Sequence, residues 1–171
     1  FEYSSPNIAK PFHVGHLRST IIGNFLSNIY SYFNNEVVKL NYLGDWGTQF
    51  GILKVGVDLS NLTQDEIRAN PMECLFQAYV NGNKLAGSDN SIAIKARQVF
   101  NQLERGEIKD LEDWKLYREY TLNELKNIYG RIGIKFDDYH WESSYNAKSI
   151  ESIIKDLENK GVLKIHSDGQ K

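Results

Sequence analysis

Two histidines, His13 and His16, stand three residues apart in the stretch AKPFHVGHLRST. Each imidazole donates or accepts hydrogen bonds and titrates near neutrality. At the first turn of a helix they would lie beside unpaired backbone N–H groups and the positive end of the helix dipole. That setting suits phosphate oxygens and charge developing at a reacting phosphorus. Gly15 between them lacks a Cβ, so a flat ligand such as a nucleotide base can approach the backbone. A blander reading makes the histidines helix caps or core hydrogen-bond partners, and the residues alone leave it open. A metal pair is disfavoured, because H-x-x-H has neither the H-E-x-x-H spacing nor a nearby third ligand. No metal ligands are assigned. G-x-x-x-x-G-K-[ST] and G-x-G-x-x-G are both absent, so a bound nucleotide would not use those loops.

The flanking elements must position these rings. Phe1 to Ser4 predicts a strand ended by Pro6 and Asn7. From Leu17, the residues Ile21, Ile22, Phe25, Leu26, Ile29 and Phe33 recur at spacings of three and four, predicting a helix that buries this face and closes at Asn34-Asn35. Glu36 to Leu43 predicts a second strand. Strand, helix and strand in this order imply a right-handed βαβ unit and a parallel sheet. Ligands of such sheets sit beyond the carboxyl ends of the strands. The SSPN loop and the GDWGTQFG loop from Gly44 to Gly51 are therefore expected on one rim.

The rest reads as more helical. Asn61 to Asn70 is expected as a loop, Met72 to Val80 as a helix, Asn81 to Asn90 as a loop containing Gly82 and Gly87, and Ser91 to Arg105 as a helix. A longer helix from Lys109 to Tyr129 carries Leu111, Trp114, Tyr117, Leu122, Leu125 and Ile128 on one stripe, with Gly130 as its stop. Acidic neighbours Glu112, Asp113, Glu119 and Glu124 make this a buried face rather than a base-stacking platform. Ile132 to Phe136 is expected as a strand, Trp141 to Ser144 as a loop, Ala147 to Asn159 as a helix, and Val162 to Ile165 as a strand start after Gly161. No internal repeat is found.

Composition bounds the class. The 171 residues carry 41% hydrophobic and 25% charged side chains with a net charge of −2, so no general attraction to polyanions exists. No apolar run approaches the roughly 18 residues of a membrane span. One cysteine, Cys74, excludes an internal disulfide and a multi-cysteine zinc site, and fits a reducing compartment. A start at Phe1 and an end at a turn-like HSDGQK lead to the expectation of a fragment.

The run FEYSSPNIAKPFHVGHLRSTIIGNFLSNIY, followed by NYLGDWGTQFG, resembles arginyl-tRNA synthetase, especially the eukaryotic cytosolic type. HVGH resembles the HIGH signature of class I aminoacyl-tRNA synthetases. EDWKLYREYTLNELKNIYGRIGIKFDDY and the Glu142-Ser143 pair extend the resemblance along nearly the whole chain.

The resemblance implies an α/β fold, a Rossmann-like (HUP-type) parallel-sheet core with a helical insertion, in an incomplete catalytic domain. Residues 1–57 would hold the first βαβ part with HVGH, 58–145 the helical insertion and return to the core, and 146–171 the start of a connective insertion. It further implies that ATP, with Mg2+, activates L-arginine, which then passes to tRNA(Arg), with no tightly bound cofactor. His13 and His16 would be catalytic and, with Gly15 and Lys10, would bind ATP. Glu2, Ser5, Pro6, Asn7 and His16 would bind arginine. A carboxylate facing the always-charged guanidinium also follows from its planar fork of donors, and Asp45 is a second candidate beside Glu2, although helix capping is the preferred role for Asp45. The family's KMSK signature, its downstream guanidinium-pocket residues and its anticodon-reading domain have no counterpart here, so these residues alone are expected to be inactive. A lysine ahead of HIGH is thought to compensate for a missing KMSK, which gives Lys10 a place near the pyrophosphate. The implied location is cytoplasmic, with a mitochondrial form as alternative and no membrane partner. Two other functions compete: a nucleotidylyltransferase of the same fold, and a non-catalytic binding module derived from a synthetase.

Overall fold

The computed structural model describes residues 1–105, 108–145 and 147–163. Its sheet pairs β1 (Leu40–Leu43) in parallel with β2 (Asp138–Trp141), Leu40 opposite Asp138 and Leu43 opposite Trp141. On the other side of β1 the N-terminal segment adds only two isolated parallel bridges, Glu2 to Leu40 and Asn7 to Gly44. The expected strand from Phe1 to Ser4 is therefore not a continuous ladder. The reason is an extra residue: the segment spends five steps between its bridges where β1 spends four. Ser4 and Ser5, at φ 80° and 48°, absorb the excess as a bulge.

β1 is also shorter than expected: among the described residues, the hydrogen bonds that the 36–43 segment makes to its neighbours start at Val38 and Lys39.

Helix α1 (Val14–Tyr32) forms where expected and closes at Phe33, with Asn34 in the left-handed region. The face it buries is not the expected one. Thr20, Gly23 and Ser27 are buried, whereas Ile21 and Phe25 are 54% and 61% exposed, and Ile22, Leu26, Ile29 and Phe33 are exposed with them. Close approach decides this. A Cβ on Gly23 would collide with the Tyr3 ring, so only a line of small residues fits against the sheet.

After α2 (Thr48–Ser60) come α3 (Gln64–Ala69) and α4 (Pro71–Ser88). Both correct the loop expectations. Thr63 and Glu66 form a reciprocal capping box that starts α3 within the supposed Asn61–Asn70 loop. Helix α4 runs straight through Gly82 and Gly87, because Gly82 is a packing site: a Cβ there would lie 2.7 Å from the Ile52 carbonyl oxygen of α2. Helix α5 (Asn90–Glu104) is capped by Asp89.

Helix α6 (Ile108–Arg131) passes Gly130 and ends instead at Gly133, whose φ of +69° allows Ile134 N–H to reach the Tyr129 carbonyl. Ile134 returns to the core, so the expected strand at Ile132–Phe136 is displaced to β2, alongside β1. Of the aromatic stripe on α6, Trp114, Tyr117 and Leu125 are buried, as expected. A short 3-10 turn, Glu142–Ser144, follows β2, and α7 (Ala147–Asn159) follows that. Gly161 turns the chain at φ +66°, Val162 and Leu163 are not in a strand, and the remainder of the expected strand to Ile165 lies outside the described residues.

Two cores result. One joins Ile8 and Ala9 to the helices through Phe50, Leu53, Leu75, Trp114 and Tyr117; the other lies under the sheet around Tyr3, Leu43, Leu125, Tyr129 and Ile134. Among the described residues no helix is long and apolar enough to cross a membrane.

Candidate functional site

The N-terminus of α1 is closed by the two histidines themselves. His13 is the N-cap, in extended conformation, and its Nδ1 accepts from Gly15 N–H at 3.1 Å. His16 Nδ1 accepts in return from His13 N–H at 3.3 Å. This is a capping box built from imidazoles in place of hydroxyl and carboxylate. The rings stack with centroids 3.7 Å apart, and Phe12 packs against His16 at 5.5 Å. Because both Nδ1 atoms accept, the proton of each neutral ring sits on Nε2, and among the described residues neither Nε2 has a hydrogen-bond partner. Burial, followed by the nearby His13 and Lys10, lowers the His16 pKa below 6.5. The capping reading is thus observed, and it leaves two N–H donors available for an anion.

The SSPN segment is fixed from beneath. Ser4 Oγ and Tyr129 Oη lie 2.7 Å apart, and Thr20 Oγ1 stands 2.9 Å from Ser4 Oγ and donates to the His16 carbonyl at 2.6 Å. Asn41, wholly buried on β1, donates to Tyr129 Oη and accepts Ser5 N–H at 3.1 Å. One polar network therefore links the bulge, α1, β1 and α6. Ser5 Oγ donates to the exposed Glu2 carboxylate. Pro6 is buried and its carbonyl accepts Gly44 N–H. Asn7 lies against Gly44, which has no Cβ to obstruct it, and the Asn7 side chain has no hydrogen-bond partner among the described residues.

Lys10 is not a freely solvated lysine. Its Nζ donates to Gln49 Oε1 of α2 at 3.1 Å and lies 4.9 Å above the Tyr79 ring. It remains close enough to depress the His16 pKa.

Asp45 departs from its expected role. The N-cap of α2 is Gly47, without a side-chain cap, and Asp45 is completely buried. Its carboxylate accepts from Ser143 N–H at 2.9 Å and Ser143 Oγ at 2.7 Å, with Arg118 Nε at 3.3 Å. Burial pushes its pKa up, opposed by Ser143 and Arg118.

Sequence reasoning did not assign the open cavity at this edge. It holds about 470 Å³ and is lined by Tyr42, Trp46, Glu104, Glu142, Ser143, Tyr145 and Ile150. Burial, then the charge of Glu142, followed by Tyr145, Asp45 and Glu2, raises the Tyr42 pKa. The legible signal was alternation on β1: Asn41 and Leu43 turn inward, which leaves Tyr42 on the other face. Among the described residues no group of three or more His, Cys, Asp or Glu is arranged to hold a metal.

Comparisons with known proteins agree with this layout. A family model described as tRNA synthetases class I (R), catalytic domain, matches residues 1–171. The chain is 46% identical over 162 residues to the probable mitochondrial arginine–tRNA ligase of Homo sapiens, covering 95% of this chain and 28% of that protein. To the cytoplasmic arginine–tRNA ligase of Saccharomyces cerevisiae it is 42% identical over 174 residues, covering 98% and 28%. The crystal structure of arginyl-tRNA synthetase from Plasmodium falciparum superposes with a TM-score of 0.77 at 26% identity, covering 98% of this chain and 28% of that one. The chain thus spans just over a quarter of the length of these relatives, which include both mitochondrial and cytoplasmic enzymes. With its imidazole-capped helix set beside a bulged SSPN loop on a parallel sheet, the chain belongs to the class I arginyl-tRNA synthetase catalytic-domain family.

Proposed function

We propose that the chain supplies the ATP-binding half and part of the amino-acid pocket of an arginine–tRNA ligase, which joins L-arginine to tRNA(Arg) through arginyl-adenylate. The observation that carries this reading is the pair of imidazoles capping α1, with neither Nε2 atom partnered among the described residues. In the reaction a carboxylate oxygen of arginine attacks the α-phosphorus of ATP, the bond to the bridging oxygen breaks, and pyrophosphate departs. His13 and His16 act as catalytic groups, their Nε2–H donors answering the negative charge that grows on the phosphoryl oxygens. Gly15 allows the nucleotide to lie against the α1 backbone, and Lys10 adds positive charge on the pyrophosphate side. The neutral His16 ring, favoured by its lowered pKa, still donates at neutral pH.

For arginine, the Asn7 amide and the main chain around Ser5 and Pro6 serve its amino and carboxylate groups, with His16 between the two substrates. The guanidinium needs a carboxylate with two free oxygens. Glu142 beside Tyr42 fits that need, with Glu2 as a second acidic group already engaged by Ser5. Mg2+ enters with the ATP phosphates rather than in a protein cage, the usual habit of that ion. The division into residues 1–57, 58–145 and 146–171 is proposed as the order of core, insertion and connective segment.

The compartment we propose is the cytoplasm, with mitochondria as the alternative suggested by the names of its relatives. Calorimetry on a family-length polypeptide carrying this chain, titrated with arginine and with ATP, tests the function. Heat from both supports the ligase. Heat from ATP without any response to arginine favours a nucleotidylyltransferase, and silence to both favours a binding module.

A further inference from the structure

We propose that Asp45 is a positioning residue for arginine recognition, acting through Ser143 to hold the Glu142 carboxylate at the cavity edge; this rests on the reading of Glu142 given above. Asp45 cannot itself meet a ligand, because it is fully buried behind the cavity wall. Its two oxygens are divided. Oδ1 accepts the Ser143 N–H at 2.9 Å, while Oδ2 accepts the Ser143 hydroxyl at 2.7 Å and faces Arg118 Nε at 3.3 Å. Holding one residue by both backbone and side chain fixes the position and the rotation of the 3-10 turn, whose first residue is Glu142.

The anchor is itself immobilised. Trp114 Nε1 donates to the Asp45 carbonyl at 3.0 Å, and the Arg118 guanidinium lies between the Trp114 and Trp141 rings, 4.5 and 3.9 Å from their centroids. Arg118 balances the Asp45 charge, which leaves Glu142 and Glu104 as the carboxylates that line the cavity without an ion pair among the described residues, and Glu142 is the one next to Ser143. The Glu142 side chain, by contrast, has no hydrogen bond or ion pair among the described residues. Its aim is therefore set by the backbone that Ser143 and Asp45 hold. Buried ion pairs are weak stabilisers compared with apolar packing, which makes geometric control the better account of this one.

The test is steady-state pyrophosphate exchange by the family-length polypeptide, with arginine and ATP varied separately, for Ser143→Ala, Ser143→Thr and Asp45→Asn. Ser143→Ala is expected to raise KM for arginine by about tenfold while KM for ATP stays within about twofold, since a small misplacement of a binding group is costly. Ser143→Thr, which keeps the hydroxyl, should stay near the parent values. Asp45→Asn should shift the same parameter in the same direction. An unchanged KM for arginine in Ser143→Ala, or an equal rise in both KM values, overturns this proposal alone. A parent protein without arginine-dependent exchange overturns the functional reading and the proposal together.

Discussion

His13 and His16 stack face to face with ring centroids 3.7 Å apart and 18° between planes, each ring accepting a backbone N–H at the start of α1. Burial resists a positive charge on the His16 ring, and the stacked His13 and then Lys10 add to that resistance. The folded-state pKa of His16 therefore lies below its unfolded value of 6.5. In the window beneath 6.5 the unfolded chain binds more protons, so stability contributed by neutral His16 is lost as pH falls and is fully present above it. An NMR titration of the His16 ring should show a midpoint below 6.5. ATP should move that midpoint upward, because phosphate favours the charged ring.

Tyr129 provides a test of the frame beneath the SSPN loop. Tyr129→Phe keeps the ring but removes the hydroxyl that meets Ser4 and Asn41, leaving buried polar groups short of a partner. A loss of about 1–3 kcal/mol in urea denaturation is expected. In a family-length polypeptide, KM for arginine should rise with it, since Asn41 also holds Ser5.

The orientation of α1 is tested by a pair of substitutions. Gly23→Val drives a side chain into Tyr3 and should cost about 1–3 kcal/mol by overpacking. Phe25→Gln, on the exposed face, should alter the stability of the 171-residue chain by no more than about 0.5 kcal/mol. The reverse ranking would mean that the large apolar residues face the sheet.

Arg118 compensates a buried charge. Arg118→Ala leaves Asp45 unpaired and should destabilise by about 3–5 kcal/mol in chemical denaturation, more than the loss of a surface pair could produce.

Much of the site was legible because it is local in sequence. His13, Gly15 and His16 share one helical turn, and Ser4 to Asn7 share one bulge, so spacing and motif reached them. The first helix followed from periodicity, the Leu40–Leu43 part of the second strand from its β-branched and aromatic residues, and the parallel sense of the sheet from the strand-helix-strand order. What periodicity missed depends on tertiary contact. The inward face of α1 is set by the room left by Tyr3, and the persistence of α4 through Gly82 is set by α2 passing close by. Glu142 and Ser143 lie about a hundred residues from Asp45, and only the pairing of β2 with β1 brings them together. The α3 cap, T-x-x-E, was present to be read and was outweighed by the polar composition around it.

Lys10 offers a sharper kinetic test than its surface location suggested, since Gln49 and Tyr79 restrain it. Lys10→Ala should lower the pyrophosphate-exchange rate by about tenfold or more in a family-length polypeptide, as expected for losing a charge near the leaving group. An unchanged rate would remove Lys10 from the reaction.

The most direct measurement is ATP–pyrophosphate exchange by a family-length polypeptide carrying this chain, with tRNA present and each of the standard amino acids supplied in turn. Exchange should depend on arginine and fall by about a hundredfold or more in His16→Ala, the scale of losing one donor to a developing oxyanion. Exchange driven equally by other amino acids, or undiminished in His16→Ala, would contradict the assignment of this helix terminus to arginine activation.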